Sequence, residues 1–157
     1  MTVLAFLSPD EAAADVPRSS PLRHVPAGAF TDVSALGKLE VRGDVSRLEN
    51  AIRLAPDRAL LVIEGDVRPT RDRLAAEGYR VYDQTAALAA LEVEGEDLMR
   101  RLTELDLDAL PATGSIARGT TAVIERRSAE RFRLFVPQEL GQFVAEVVTD
   151  MHAGLGG

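Results

Sequence analysis

One line of this chain occurs twice. Leu39-Glu40-Val41-Arg42-Gly43-Asp44 and Leu91-Glu92-Val93-Glu94-Gly95-Glu96 share the pattern Leu-Glu-Val-x-Gly-acid at an offset of 52 residues. An acidic residue followed two places later by a hydroxyl precedes each copy, as Asp32-Val33-Ser34 and Asp83-Gln84-Thr85. That pair is offset by 51 residues, one fewer. A strand-length alternation, a lone glycine and an acid at the helix-starting position describe a strand turning into a helix. Written twice, they describe a chain of two similar halves.

Composition limits what those halves can be. At 157 residues the chain is one domain or two fused half-domains. Apolar residues make up 46%, aromatics only 4%, and there is no Trp, so the core must be aliphatic. The net charge of −7 gives no general basic footprint, which excludes nucleic acid and anionic membrane as expected partners. There is no cysteine, which excludes disulfides, thiolate nucleophiles and Cys-ligated metal, and fits the cytoplasm. The apolar start Met1 to Leu7 lacks a basic flank and runs into Ser8-Pro9-Asp10-Glu11, so no signal peptide is expected. No stretch approaches the roughly 20 apolar residues of a membrane span.

Residues 1–28 read as an irregular arm. Pro9, Pro17, Pro21 and Pro26 interrupt it, and the Ala-rich piece Asp10 to Asp15 suits one helical turn. Regular structure is expected from near Phe30, in a single α+β domain over 29–153 with halves at about 29–78 and 79–153. Over 36–42, Leu39 and Val41 alternate with Lys38, Glu40 and Arg42, predicting a strand with one solvated face. Asp44 should cap a short helix carrying Val45, Leu48 and Ile52. Ala59 to Ile63 reads as a central strand. Pro69 opens a helix that Gly78 stops, and Tyr79 to Tyr82 is a strand ending at Asp83.

In the second half, Leu88 to Glu94 is a strand burying Leu91 and Val93. Glu96 and Asp97 begin a helix burying Leu98, Leu102 and Leu105. Residues 106–118 read as a loop. Thr120 to Glu125 and Phe132 to Val136 form a hairpin, with Phe132, Leu134 and Val136 alternating against Arg131, Arg133 and Phe135. Leu140, Phe143, Val144, Val147, Val148 and Met151 make one stripe of a final helix, and Gly154 to Gly157 should fray. This order fits an α+β fold of two fused ferredoxin-like halves related by internal duplication. Gly43 and Gly95 stand alone, outside any G-x-G-x-x-G phosphate loop.

Candidate site residues are few, and no catalytic residue is expected. Asp83 with Thr85 is the candidate cofactor-binding pair, Asp32 with Ser34 its counterpart; the competing role for both is a turn at a strand end. His24 and His152 have no ligand spacing, so no metal site is expected. Asp106 and Asp108 read as a solvated loop pair rather than an acid and base. No serine lies in a G-x-S-x-G context. Arg126, Arg127, Arg131 and Arg133 form a basic patch, read as an exposed hairpin face that could also receive a phosphate or an acidic partner.

Five pieces in order carry a resemblance. They are Ser20-Pro21-Leu22; Leu54 to Val62, which looks like an "LGPDEWLLV" segment; Asp83-Gln84-Thr85 followed by Leu91 to Asp97; Leu105-Asp106-Leu107 with Pro111 and Thr120 beyond it; and Phe132 to Val136 before an amphipathic helix. Together, over about residues 20–150, they resemble the gamma subunit of heterotetrameric sarcosine oxidase, within the folate-binding aminomethyltransferase superfamily to which the glycine-cleavage T-protein belongs. Arg58-Ala59 replaces the family's Glu-Trp, and neither the T-protein's "GGxxDD" segment nor the "KGCYxGQ" box of the cluster-assembly branch is present.

The resemblance implies a non-catalytic accessory subunit in one-carbon metabolism, with no cofactor of its own. Its partners would be larger flavoprotein and folate-binding subunits, contacted through an exposed apolar patch of a few hundred Å² or so. The alternative is a stand-alone folate-binding protein that passes one-carbon units to tetrahydrofolate. That protein would need a pocket of at least about 300 Å³ with a convergent carboxylate.

Overall fold

The computed structural model describes residues 19–156. Residues 1–18, with most of the expected arm and its helical turn at 10–15, lie outside the described residues, as does Gly157. Of the arm, 19–28 is a series of turns, with the Ser20 carbonyl accepting from Arg23 N and the Leu22 carbonyl from Val25 N.

Two antiparallel sheets and three helices make an α+β fold. β2 (Gly37–Arg42), β3 (Ile52–Ala55), β4 (Arg58–Ile63) and β5 (Arg80–Asp83) form one sheet in the order β3-β4-β2-β5. β1 (Thr31–Asp32), β6 (Leu88–Glu94), β7 (Ala112–Ile116), β8 (Thr120–Arg126) and β9 (Arg131–Pro137) form the other, in the order β1-β6-β9-β8-β7. The helices are α1 (Arg68–Ala76), α2 (Glu96–Leu102) and α3 (Gly141–Leu155). This arrangement is compatible with two ferredoxin-like sandwiches.

Alternation along each strand sets the layers. Leu91 and Val93 of β6 with Phe132, Leu134 and Val136 of β9 pack against Leu98, Met99 and Leu102 of α2 and Val144, Ala145 and Val148 of α3. Val41 and Ala59 of the four-stranded sheet pack against Leu74 of α1 and Val45. The opposite faces meet each other: Ile52 and Leu60 from one sheet contact Ala90 and Phe135 from the other. The two sheets therefore stack face to face, with helices on the outside. Each fully buried aliphatic side chain in these layers contributes about 1.5–3 kcal/mol.

Both copies of the repeated line become strand, turn and helix start. Gly43 (φ 141°) follows β2 and Gly95 (φ 110°) follows β6, each in the left-handed region that a side chain resists. After them the copies diverge. Gly95 leads into α2, whereas Gly43 and Asp44 lead only into a 3₁₀ turn at Val45–Arg47. The helix expected to carry Val45, Leu48 and Ile52 is thus a single turn, capped by the Asp44 carboxylate on Ser46 N. Asn50 turns the chain at φ 55°, and Ile52 opens β3.

Four further expectations are corrected. The loop expected over 106–118 contains β7, which pairs with β8 along its whole length. Leu105 lies beyond the end of α2 and packs partly buried on the core, close against Gly114, where a Cβ would come within 2.5 Å of its Cδ1. The stripe of α3 is shifted: Leu140 and Phe143 are 37% and 39% exposed, while Val144, Ala145 and Val148 are buried. Gly154 and Leu155 continue the helix instead of fraying, so His152 belongs to its last turn.

Candidate functional site

Asp32-x-Ser34 and Asp83-x-Thr85 close the same turn. Asp32 Oδ1 accepts from Ser34 N at 3.0 Å, and Asp83 Oδ1 accepts from Thr85 N at 2.9 Å. Each hydroxyl then reaches into the other copy of the repeat. Ser34 Oγ accepts from Ala90 N at 3.0 Å and donates to Ala90 O; Thr85 Oγ1 accepts from Lys38 N at 3.1 Å. The backbone repeats the exchange, with Val33 N donating to Ala90 O at 3.0 Å and Gln84 N to Lys38 O at 2.7 Å. Strand pairing follows suit, since Asp32 faces Leu91 and Asp83 faces Leu39. The candidate pair Asp83 and Thr85 thus holds backbone, and so does its counterpart.

At the centre of this exchange lies Lys38, expected on a solvated face and found 0% exposed. The second sheet covers the face that alternation left polar. Nζ donates to Ser34 O at 2.7 Å, Leu88 O at 2.8 Å and Thr85 O at 3.0 Å. All three ammonium donors are used, and they join both copies of the repeat. Burial pulls the Lys38 pKa down to about 8, against the opposing pull of Asp32 and Asp83. Burial likewise opposes ionisation of Asp32, but hydrogen bonds from Ser20 and Ser34, with Lys38 nearby, hold its carboxyl below the ordinary value.

Farther along the inter-sheet face the apolar row Ala90–Phe135–Val123 gives way to Glu92–Arg133–Glu125, neighbours in register on β6, β9 and β8. Arg133 is 8% exposed. Its Nη2 donates to Glu92 Oε2 at 3.3 Å, and its Nη1 lies 3.6 Å from Glu125 Oε2. Arg127 Nη1 donates to Glu125 Oε1 at 3.1 Å. Arg133 and Glu125 line a cleft of about 460 Å³ between the sheets, walled also by Ile52, Val62, Glu64 and Pro111. A more open groove of about 620 Å³ lies between the Val45–Arg47 turn and α1, lined by Arg47, Leu61, Arg73 and Tyr79 among others.

The basic patch therefore divides: Arg127 and Arg131 are exposed on the hairpin as expected, whereas Arg126 and Arg133 are not. Arg126 lies over the Phe132 ring and pairs with Glu96 at 2.8 Å and Asp108 at 3.0 Å, while Arg133 points between the sheets. The Asp106–Asp108 pair caps a 3₁₀ turn, with Asp106 Oδ1 accepting from Asp108 N. His24 sits in a surface turn and His152 on α3. Among the described residues no group of three His, Asp or Glu is placed to hold a metal ion. Both Lys38 and Arg133 were misplaced on the outside, although one signal stood against that. Phe135 shares the face of Arg133, and a large aromatic marks a face as covered.

No helix among the described residues is long and apolar enough to cross a membrane. No protein-family model matches the chain, and no curated protein matches it in sequence. Its fold is similar to that of a chain of the heterotetrameric sarcosine oxidase from Corynebacterium sp. U-96, solved in complex with pyrrole 2-carboxylate. The TM-score is 0.74 at 17% identity, over 89% of this chain and 97% of that one.

Proposed function

We propose that this protein is a small accessory subunit of a sarcosine oxidase-like hetero-oligomer, equivalent to its gamma subunit and without a catalytic site of its own. The fold likeness carries this reading, because it spans nearly all of both chains and so matches a whole small subunit rather than a domain of a large one. The partners are larger flavin- and folate-bearing subunits in the cytoplasm, working in one-carbon metabolism. Leu140, just before α3, and Phe143, in its first turn, are 37% and 39% exposed and are the surface proposed for this contact, smaller than the apolar patch of a few hundred Å² or so expected of a subunit face.

The test is recovery of the chain from its own cells with identification of whatever co-purifies. Larger flavoproteins in fixed ratio support the proposal; a chain recovered alone and monodisperse sinks it.

The same reading includes internal duplication, with halves at about 29–78 and 79–153. The reciprocal hydrogen bonds at Ser34 and Thr85 support it, since equivalent residues make equivalent bonds across a local two-fold relation.

A second reading, the folate-binding one-carbon protein, is favoured by one observation. The inter-sheet cleft of about 460 Å³ carries the carboxylates Glu64 and Glu125. Titration with tetrahydrofolate decides it: an unchanged protein spectrum at millimolar ligand removes this reading.

A further inference from the structure

An edge strand presents a row of unpaired N–H and C=O groups, and folded proteins blunt such edges. The edges of the two sheets are β1, β7, β3 and β5. β1 is only two residues long. β3 shifts register between Arg53 and Ala55, a bulge that bends the strand. Against β7, Thr103 bridges Ile116, and its hydroxyl donates to Ser115 O at 2.9 Å. β5 carries none of these devices. Its register with β2 is unbroken from Arg80 to Asp83, and it holds neither proline nor lysine.

The ladder to β2 decides which groups of β5 are open. Gln84 N donates to Lys38 O, so Gln84, Tyr82 and Arg80 turn their backbone groups toward β2. Val81 and Asp83 therefore direct N–H and C=O away from it, and among the described residues no backbone group meets them. Tyr82, between the two, is 43% exposed, more than any other large hydrophobic side chain among the described residues. Arg42 lies over its ring, 5.1 Å from the centroid, and is itself paired with Glu40 at 2.7 Å. An open backbone edge thus coincides with an exposed aromatic held in place.

We infer that β5 pairs with β5 of a second copy of this chain, antiparallel, about a two-fold axis at Tyr82. In that register Val81 faces Asp83 of the second copy on one side of the axis, and Asp83 faces its Val81 on the other. Every open N–H and C=O of both edges is then used. Tyr82 meets Tyr82 of the second copy in the closer, non-hydrogen-bonded position, which suits an aromatic pair. Arg80 faces Gln84, so no like charges are opposed. Neighbouring registers are worse. Centring on Val81 needs Tyr79 N, which already donates to Leu74 O, and centring on Asp83 sets two carboxylates face to face. The four-stranded sheets of the two copies would join into one. So short a contact buries far less than the roughly 1,600 Å² of a standard interface, which makes the dimer weak and concentration-dependent. It uses none of the residues invoked for subunit assembly and stands apart from that proposal.

Sedimentation equilibrium and amide NMR of the full chain, from about 10 μM to about 1 mM, test it. The dimer should grow with concentration, and the Val81 and Asp83 amide resonances should shift saturably with it. Tyr82→Lys, at a side chain already exposed, sets two lysines face to face and should weaken association at least about tenfold. Val81→Pro removes an outward N–H, which an edge strand tolerates, and should do the same. Tyr82→Lys decides the matter if Val81→Pro does not fold. A wild-type chain that stays monomeric at about 1 mM overturns the inference and leaves the β5 edge to a strand of another protein. A dimer whose shifts fall at Leu140 and Phe143 instead of β5 also overturns it, as does one that Tyr82→Lys leaves intact.

Discussion

Lys38 shows how far a single residue can depart from the pattern that contains it. Period-two alternation put it beside Glu40 and Arg42 on a wet face, and the strand itself obeys that alternation. What alternation cannot express is a second sheet lying on the polar side. The cost of burying the charge is offset by three carbonyl partners, one from the first copy of the repeat and two from the second. Lys38→Met should strand those carbonyls and destabilise the chain by about 2–4 kcal/mol in urea unfolding. Its pH dependence has a definite sign. With the folded pKa at about 8, below the ordinary 10.5, the unfolded chain holds more protons between those values. Stability contributed by Lys38 therefore rises with pH across that window, by on the order of 3 kcal/mol, and is constant below it. Unfolding at about pH 7.5 and about pH 10 should show wild type gaining on Lys38→Met; parallel curves would count against the assignment. Arg133 was misjudged for the same reason, and its pairing with Glu92 and Glu125 depends on side-chain geometry that no spacing encodes.

At the scale of elements, strands with strong alternation were legible, and so were helices with clear stops. β2, β4, β6, β8 and β9 appear where apolar residues alternate or run together, and α1 begins at Pro69's turn and ends before Gly78. β3 and β7 were missed because pairing, not pattern, makes them. β7 reads Ala-Thr-Gly-Ser-Ile, whose alternation rests on small residues and a glycine rather than a run of large apolar ones, and it is held by its ladder to β8. The repeated glycines were read correctly as turn points, and their conformations predict an order of sensitivity. Gly95→Ala meets only ordinary contact, Leu98 Cβ at 3.8 Å, so its cost is backbone strain of about 1–3 kcal/mol. Gly43→Ala adds a 3.0 Å approach to the Tyr79 ring and should cost more. Denaturant midpoints of both variants check the order, and a neutral Gly95→Ala would refute the strain argument.

For the whole molecule, the α+β class was legible in the order of strands and helices, and the resemblance to a sarcosine oxidase subunit in five short segments in order, none of them specific alone. The stacking of the sheets was not, because both inner faces mix apolar and charged residues. Nor was the exposure of Leu140 and Phe143, which share the helical period of the buried stripe. If those two residues form the subunit contact, Phe143→Glu should leave the isolated chain folded, since the site is solvent-accessible already. It should weaken co-purification with larger partners by at least about tenfold, as loss of a central apolar anchor does. Undiminished recovery of partners would place the interface elsewhere.

The crossing of β1 and β5 between the two sheets makes the chain a handshake. Neither sheet is complete within its own stretch of sequence, because each borrows an edge from the other. Cutting the chain after Gly78 should therefore yield two fragments that are each unfolded alone. Mixed, they should combine one to one and recover the circular dichroism of the intact protein. Two fragments that fold independently would show the borrowed edges to be ornamental. Folding of the intact chain must likewise wait for Thr31–Asp32 to reach Leu91–Glu92 and for β5 to reach β2, so neither half can finish before the other has begun.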